Sequence, residues 1–230
     1  MAVPPPDLAD RPVPPHLAFL RRHIWLIAGV LGVVTLTALR PFLRHVPDPP
    51  PVLFDLPDFE LTRSDGTPFR RADLDGHVWV VSFFFTSCPS TCPKVTRAMK
   101  ALAERYDAHG LPVRLLSISV DPARDTPEVL AGYARTIGAD PARWTFVTGA
   151  PAAVRALVEK GFRLGLGGRE PTDDGAYDIA HATKLALVGP GGGVRGYYGI
   201  DELGLDEIFH RSQHVLREAR RAGTLADDRG

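Results

Sequence analysis

VWVVSFFFTSCPSTCP, residues 78–93, is the stretch on which the reading of this chain turns. Apart from Ser82, Val78–Phe85 is a run of β-branched and aromatic residues with no polar alternation, the pattern of a strand buried on both faces. Cys88 and Cys92, the only two cysteines of the 230 residues, follow at once in a turn bracketed by Pro89 and Pro93. A helix is predicted from there through Ala98–Tyr106, with Pro93 tolerable in its first turn and Gly110 as its stop. A buried strand that ends in a turn and opens a helix is the edge where open α/β sheets place their sites. The N–H groups and positive potential of a helix start favour thiolate over thiol.

Working outward, Asp55–Thr62 and the turn Ser64-Asp65-Gly66-Thr67 read as a short hairpin. Val113–Val120 reads as a second buried strand. Thr126 is an N-cap with Pro127 at the first helical position of a helix running to Gly138. Trp144–Thr148 is a strand and Ala150–Lys160 a helix. Lys184–Val188 and Val194–Tyr198 form a hairpin over a Gly-Pro-Gly turn, and Leu205–Arg220 is an amphipathic helix. Residues 161–180, rich in Gly and Asp, read as a loop too long to be a mere connector. Alternating strands and helices that close on a hairpin and a helix predict an α/β fold with a mixed sheet flanked by helices.

Ahead of this lies an appendage. Residues 1–23 carry Pro4, Pro5, Pro6, Pro12, Pro14 and Pro15 early on and read as a disordered tail. Ile24–Leu39 is free of charge and apolar all round, so 24–43 is expected to be a single transmembrane anchor. Arg11, Arg21 and Arg22 before it against Arg40 and Arg44 after it bias the N-terminus to the cytoplasm. The rest is then expected on the extracytoplasmic, periplasmic side of the inner membrane. Residues 44–53 read as a stiff Pro-rich linker, 54–222 as the globular domain and 223–230 as a tail. With 27 basic and 27 acidic side chains, the chain has zero net charge and no basic stripe, so a nucleic-acid partner is not expected.

Two thiols at this spacing have two chemistries open to them: reversible disulfide formation, or two soft ligands to a metal that needs at least one more donor. His16, His23 and His45 flank the apolar segment. His77 precedes the buried strand at its wrong end, His109 ends the helix that the cysteines open, and His210 and His214 sit on a polar, Arg-rich helix. His181 stands at the end of the long loop before Lys184–Val188, where a neighbouring strand can bring it to the cysteine turn. From the residues alone, ligand and structural roles are equally open for it, as are second-sphere and turn roles for Tyr177 and Asp178.

With FFFTSCPSTCP (83–93), SVDPARDTP (119–127) and AHATKLALVGPGG (180–192), the chain resembles the Sco/SenC family over residues 57–199. These are thioredoxin-fold proteins of cytochrome oxidase assembly. The resemblance implies a thioredoxin-like mixed sheet, and one copper ion, Cu(I) or Cu(II), bound by Cys88, Cys92 and His181. It also implies an N-terminal membrane anchor and, as partners, the copper-bearing subunit of cytochrome c oxidase and a thioredoxin-like reductant. Asp121 and Asp125 match the family's acidic positions and read physically as turn and helix-start residues. Ser90 stands where family members often carry an acidic residue, and Phe84 where many have Gly.

Three functions follow for comparison. One is a copper metallochaperone. Another is a thiol–disulfide oxidoreductase that reduces the oxidase's cysteines, although a thioredoxin-type enzyme would show CxxC and a Pro before the facing strand. The third is a peroxidase using Cys88, against which Phe85 stands where the usual Thr would be.

Overall fold

The computed structural model describes residues 15–43, 48–88, 92–171, 177–181 and 183–226, without the side chains of 15–21, 41–43, 169–171 and 177–181. The chain divides into two units, Met1–Pro47 and Asp48–Gly230.

The first unit holds one helix, α1 (Pro15–Leu43). It starts ahead of the predicted Ile24 because His16–Leu20 are helix-compatible and Pro15 suits a first turn, where its missing N–H has no helical partner. The helix thus takes in residues 15–23 of the stretch that the sequence suggests is a tail, and residues 1–14 lie outside the described residues. Within α1, Arg22–Arg40 is 19 residues long and apolar enough to cross a membrane. Its large side chains are unburied, Trp25 at 87% exposure and Leu36 at 71%. No amphipathic face exists to pack on a core.

In the second unit the strands are β1 (Phe54–Asp55), β2 (Glu60–Arg63), β3 (Pro68–Arg70), β4 (Val78–Phe84), β5 (Val113–Ser119), β6 (Trp144–Thr148), β7 (Leu166–Pro171), β8 (Tyr177–His181), β9 (Leu185–Val188) and β10 (Gly193–Tyr198). The helices are α2 (Cys92–Ala108), α3 (Pro127–Ile137), α4 (Pro151–Ala156, continued by a π-turn Leu157–Gly161) and α5 (Glu202–Ala222). An eight-stranded sheet has the order β1-β10-β9-β4-β5-β6-β2-β3. Strands β4, β5 and β6 are parallel, while β9 runs antiparallel to β4. Every residue of β4 is buried, as its unbroken apolar sequence requires when both faces are covered. Phe84 packs on one face against Tyr133 of α3 and Phe146, at ring-centroid distances of 5.4 and 5.8 Å. Phe83 packs on the other against Phe162, at 5.0 Å. Helix α2 is clasped to α5 by stacked Tyr106 and Phe209, 5.4 Å apart. It is clasped to α3 by Lys100 Nζ donating to Ile137 O at 3.2 Å.

Several expectations are met at the level of single residues. Thr126 caps α3 by accepting from Val129 N–H, and Gly138 ends it in the left-handed region at φ 69°. The β2–β3 hairpin turns at Gly66, φ 83°. Residues 161–180 are not a plain loop. They carry β7 and β8, an antiparallel ribbon separate from the main sheet, with a register shift between Leu166 and Arg169. The ribbon was not legible because its Gly-rich strand has no period-two alternation. The ends of the domain are also tied down. Arg195 Nη1 donates to Pro50 O at 2.9 Å, and Ala226 N–H to Gly76 O at 2.9 Å. The inner part of the predicted linker and the start of the predicted tail therefore lie on the domain. Residues 44–47 and 227–230 lie outside the described residues.

Candidate metal centre

The parallel strands β4 and β5 end side by side, with Phe84 paired to Ser119. The turn after β4 carries Cys88, and Cys92 is the first residue of α2. Both are thiols, not a disulfide, and both are nearly enclosed, at 6% and 2% exposure. The Cys92 N–H donates to Cys88 Sγ at 3.4 Å, and the Phe85 N–H donates to Cys92 Sγ at 3.4 Å. The first sulfur thus occupies the place of a helix N-cap acceptor. Amide donors and the positive helix end both favour anionic sulfur there. The spacing of four residues puts both sulfurs at one helix start, as two ligands to a common ion or two partners in one disulfide require.

A carboxylate holds this turn in place. Asp125, fully buried, accepts from Thr86 N–H at 3.1 Å, from Thr86 Oγ1, and from Ser119 Oγ at 2.6 Å. It thereby bolts the segment before Cys88 to the end of β5. Asp121 keeps the turn role read from sequence, its carbonyl accepting from Arg124 and Asp125 N–H at 3.1 and 3.0 Å. Asp125 does more than open a helix. The sequence signals for it were its match to one of the family's acidic positions and its place in a Pro-bracketed turn after a buried strand, and neither showed what it would hold.

His181 ends β8, its backbone paired with Leu166 of β7, and its side chain lies outside the described residues, as do those of Tyr177 and Asp178. Leu166 lines a groove with Val120 and Asp121, the residues just past β5, and with Pro151, Val154 and Arg155 of α4. Arg155 Nη1 donates to Leu166 O at 3.3 Å. The ribbon base is therefore seated beside the end of β5, which Asp125 joins to the cysteine turn. The remaining domain histidines are elsewhere. His77 sits edge-on to Trp79 at the far end of β4, His109 Nδ1 meets Arg105 O at 2.8 Å, His210 lies against Phe209, and His214 follows one turn on along α5. Among the described residues no third Cys, His, Asp or Glu joins the two sulfurs as a metal-binding group.

The SCO1/SenC family model matches residues 55–217, a span that takes in the cysteine turn, the Asp125 clamp and His181. The chain belongs to the SCO1/SenC family. The SCO1 protein homolog of Bacillus subtilis (strain 168) is 30% identical over 161 residues, 69% of this chain and 81% of that protein. Among solved SCO1/SenC structures, Bradyrhizobium japonicum ScoI with copper bound superposes with TM-score 0.56 at 25% identity, over 70% of this chain and 99% of that one. BsSco, a member of the Sco family of cytochrome c oxidase assembly proteins in which a disulfide switch was identified, superposes with TM-score 0.61 at 28% identity, over 74% of this chain and 96% of that one. The sheet and its helices are thus the thioredoxin-like fold of the SCO1/SenC family, as the sequence led us to expect.

Proposed function

We propose that this chain is a membrane-anchored copper metallochaperone. Cys88 and Cys92 as thiolates and His181 as imidazole hold one copper ion and pass it to the copper-bearing subunit of a cytochrome c oxidase during assembly. The observation that carries this reading is the reduced pair of sulfurs at one helix start, each accepting a backbone N–H. Soft thiolates select Cu(I), and an added imidazole suits either oxidation state. Three donors leave the ion open to a further ligand, so it can move through shared ligation. A structural zinc site would be closed by four. Support for His181 as third donor comes from its backbone position at the ribbon base and from its place in the family's sequence pattern. The copper-bound relative and the relative named for oxidase assembly support cargo and partner. The apolar helix Arg22–Arg40 supports anchoring, and the arginine bias supports a domain on the extracytoplasmic side.

A second reading, favoured by the disulfide switch of a relative, is a thiol–disulfide oxidoreductase that reduces the cysteines of the oxidase copper site, itself re-reduced by a thioredoxin-like partner. The two roles share one dithiol, and closing the disulfide removes both thiolate ligands. The test is anaerobic titration of the full-length protein in non-ionic detergent with Cu(I) against a competing chelator. Reduced protein is expected to take up one equivalent and oxidised protein none. Equal uptake by the two forms would contradict the metallochaperone reading.

A further inference from the structure

Between α2 and α3 lies a cavity of about 330 Å³ into which both Cys88 and Cys92 open. Its size suits one or two side chains rather than a bulky small molecule. Phe85 and Ile137 give it apolar walls, and Thr96 Oγ1 and the Tyr133 hydroxyl share a hydrogen bond of 2.6 Å across it. Those two hydroxyls satisfy each other, and burial raises the Tyr133 pKa, so the phenol stays neutral beside the sulfurs.

Among the described lining residues, the one charged side chain is that of Arg97. Arg97 is exposed and forms no ion pair among the described residues, and the same holds for Lys94, its neighbour three positions before it on α2, which stands outside the cleft lining. The carboxylate behind the cysteine turn, that of Asp125, faces inward and is taken up by Thr86 and Ser119. The positive end of α2 opens onto the same mouth. An apolar cleft that meets two reactive sulfurs and carries a cationic rim is complementary to an occupant with one soft side chain and a negative charge beside it.

We propose that this cleft is the docking site for the partner's polypeptide, and that it selects an extended segment whose cysteine is flanked by carboxylates. The cysteine side chain enters between Tyr133 and the sulfurs, and the flanking carboxylates meet Lys94 and Arg97. This deepens the function proposed above and rests on a partner that exchanges copper or electrons with the dithiol. Because both cations are exposed, their effect falls mainly on the association rate and weakens with salt.

The experiment compares two short synthetic peptides, each with one cysteine activated as a 2-pyridyl disulfide, flanked by Asp in one and by Lys in the other. A thiolate of the dithiol attacks the peptide's sulfur, the S–S bond breaks and 2-thiopyridone leaves with the electron pair. The second cysteine then displaces the peptide thiol and closes the Cys88–Cys92 disulfide. Rates of thiopyridone release from reduced full-length protein in non-ionic detergent are each divided by the rate with neutral 2,2′-dithiodipyridine, so that changes in the thiols themselves cancel. The Asp-flanked peptide is expected to react about tenfold faster than the Lys-flanked one, the ratio that about 1.4 kcal/mol of charge interaction produces. The preference should vanish at about 1 M salt, where screening acts within ~3 Å, and in the double variant Lys94→Glu, Arg97→Glu. Equal normalised rates in the unsubstituted protein, or a preference that survives the double substitution, would overturn the proposal. No copper takes part, so this result is independent of the Cu(I) titration.

Discussion

His181→Ala is expected to lower Cu(I) affinity by at least about 100-fold, while the dithiol still cycles between thiol and disulfide. Disturbing an outer partner of a metal ligand already costs roughly 10–100-fold, and here a ligand itself is lost. The two sulfurs stay where they are, because what fixes them is local. Cys88 Sγ and Cys92 Sγ take their hydrogen bonds from Cys92 and Phe85, and Asp125 holds Thr86. None of these contacts involves β8. Competition against a Cu(I) chelator measures the affinity, and titration with an oxidant measures the dithiol. A variant that keeps tight copper binding would move the account to the oxidoreductase reading.

Asp125→Ala should destabilise the domain by about 2–4 kcal/mol. Three donor groups, Thr86 N–H, Thr86 Oγ1 and Ser119 Oγ, share this one carboxylate, and a buried donor left without its acceptor costs ~1–3 kcal/mol. Thr86 is half-buried and can turn to water in part, which keeps the total below the full sum. At ~2–4 °C per kcal/mol for a domain of this size, the melting temperature should fall by roughly 4–16 °C. Asp125→Asn, which keeps one acceptor oxygen, should fall between the two. Because the lost bonds hold the segment ahead of Cys88, the Ala variant should also react faster with a neutral disulfide than the parent under native conditions. A melting temperature within 1 °C of the parent, in a domain whose loss is expected at several degrees, would show that the clamp contributes nothing.

Much of this was legible before any coordinates. The strand β4 announces itself because all but Ser82 of its seven residues are apolar, and all seven are buried. Helix α3 announces itself by its cap, its Pro at the first turn and its Gly stop. The two sulfurs were legible because cysteines are otherwise absent from the chain. The ribbon β7–β8 was not, since Gly167, Gly168 and an irregular register leave no alternation to read. Nor was the clamp. Whether an acid in a turn faces water or is buried against a neighbouring strand is decided by packing between segments 39 positions apart, Thr86 and Asp125. The contact of Thr96 with Tyr133 is of the same kind, joining two helices whose separate patterns say nothing of their shared cleft. His181 was singled out by its place before the strand Lys184–Val188, but only the resemblance to a family pattern favoured the ligand role, because one histidine before a strand carries no periodic signal.

The central claim is that two sulfurs and one imidazole share an ion, and copper K-edge X-ray absorption on the Cu(I)-loaded full-length protein tests it most directly. The spectrum is predicted to contain two sulfur scatterers and the multiple-scattering signature of one imidazole ring, with the ring signature lost in His181→Ala. A sulfur-only first shell, or an imidazole signature that survives the substitution, would contradict it.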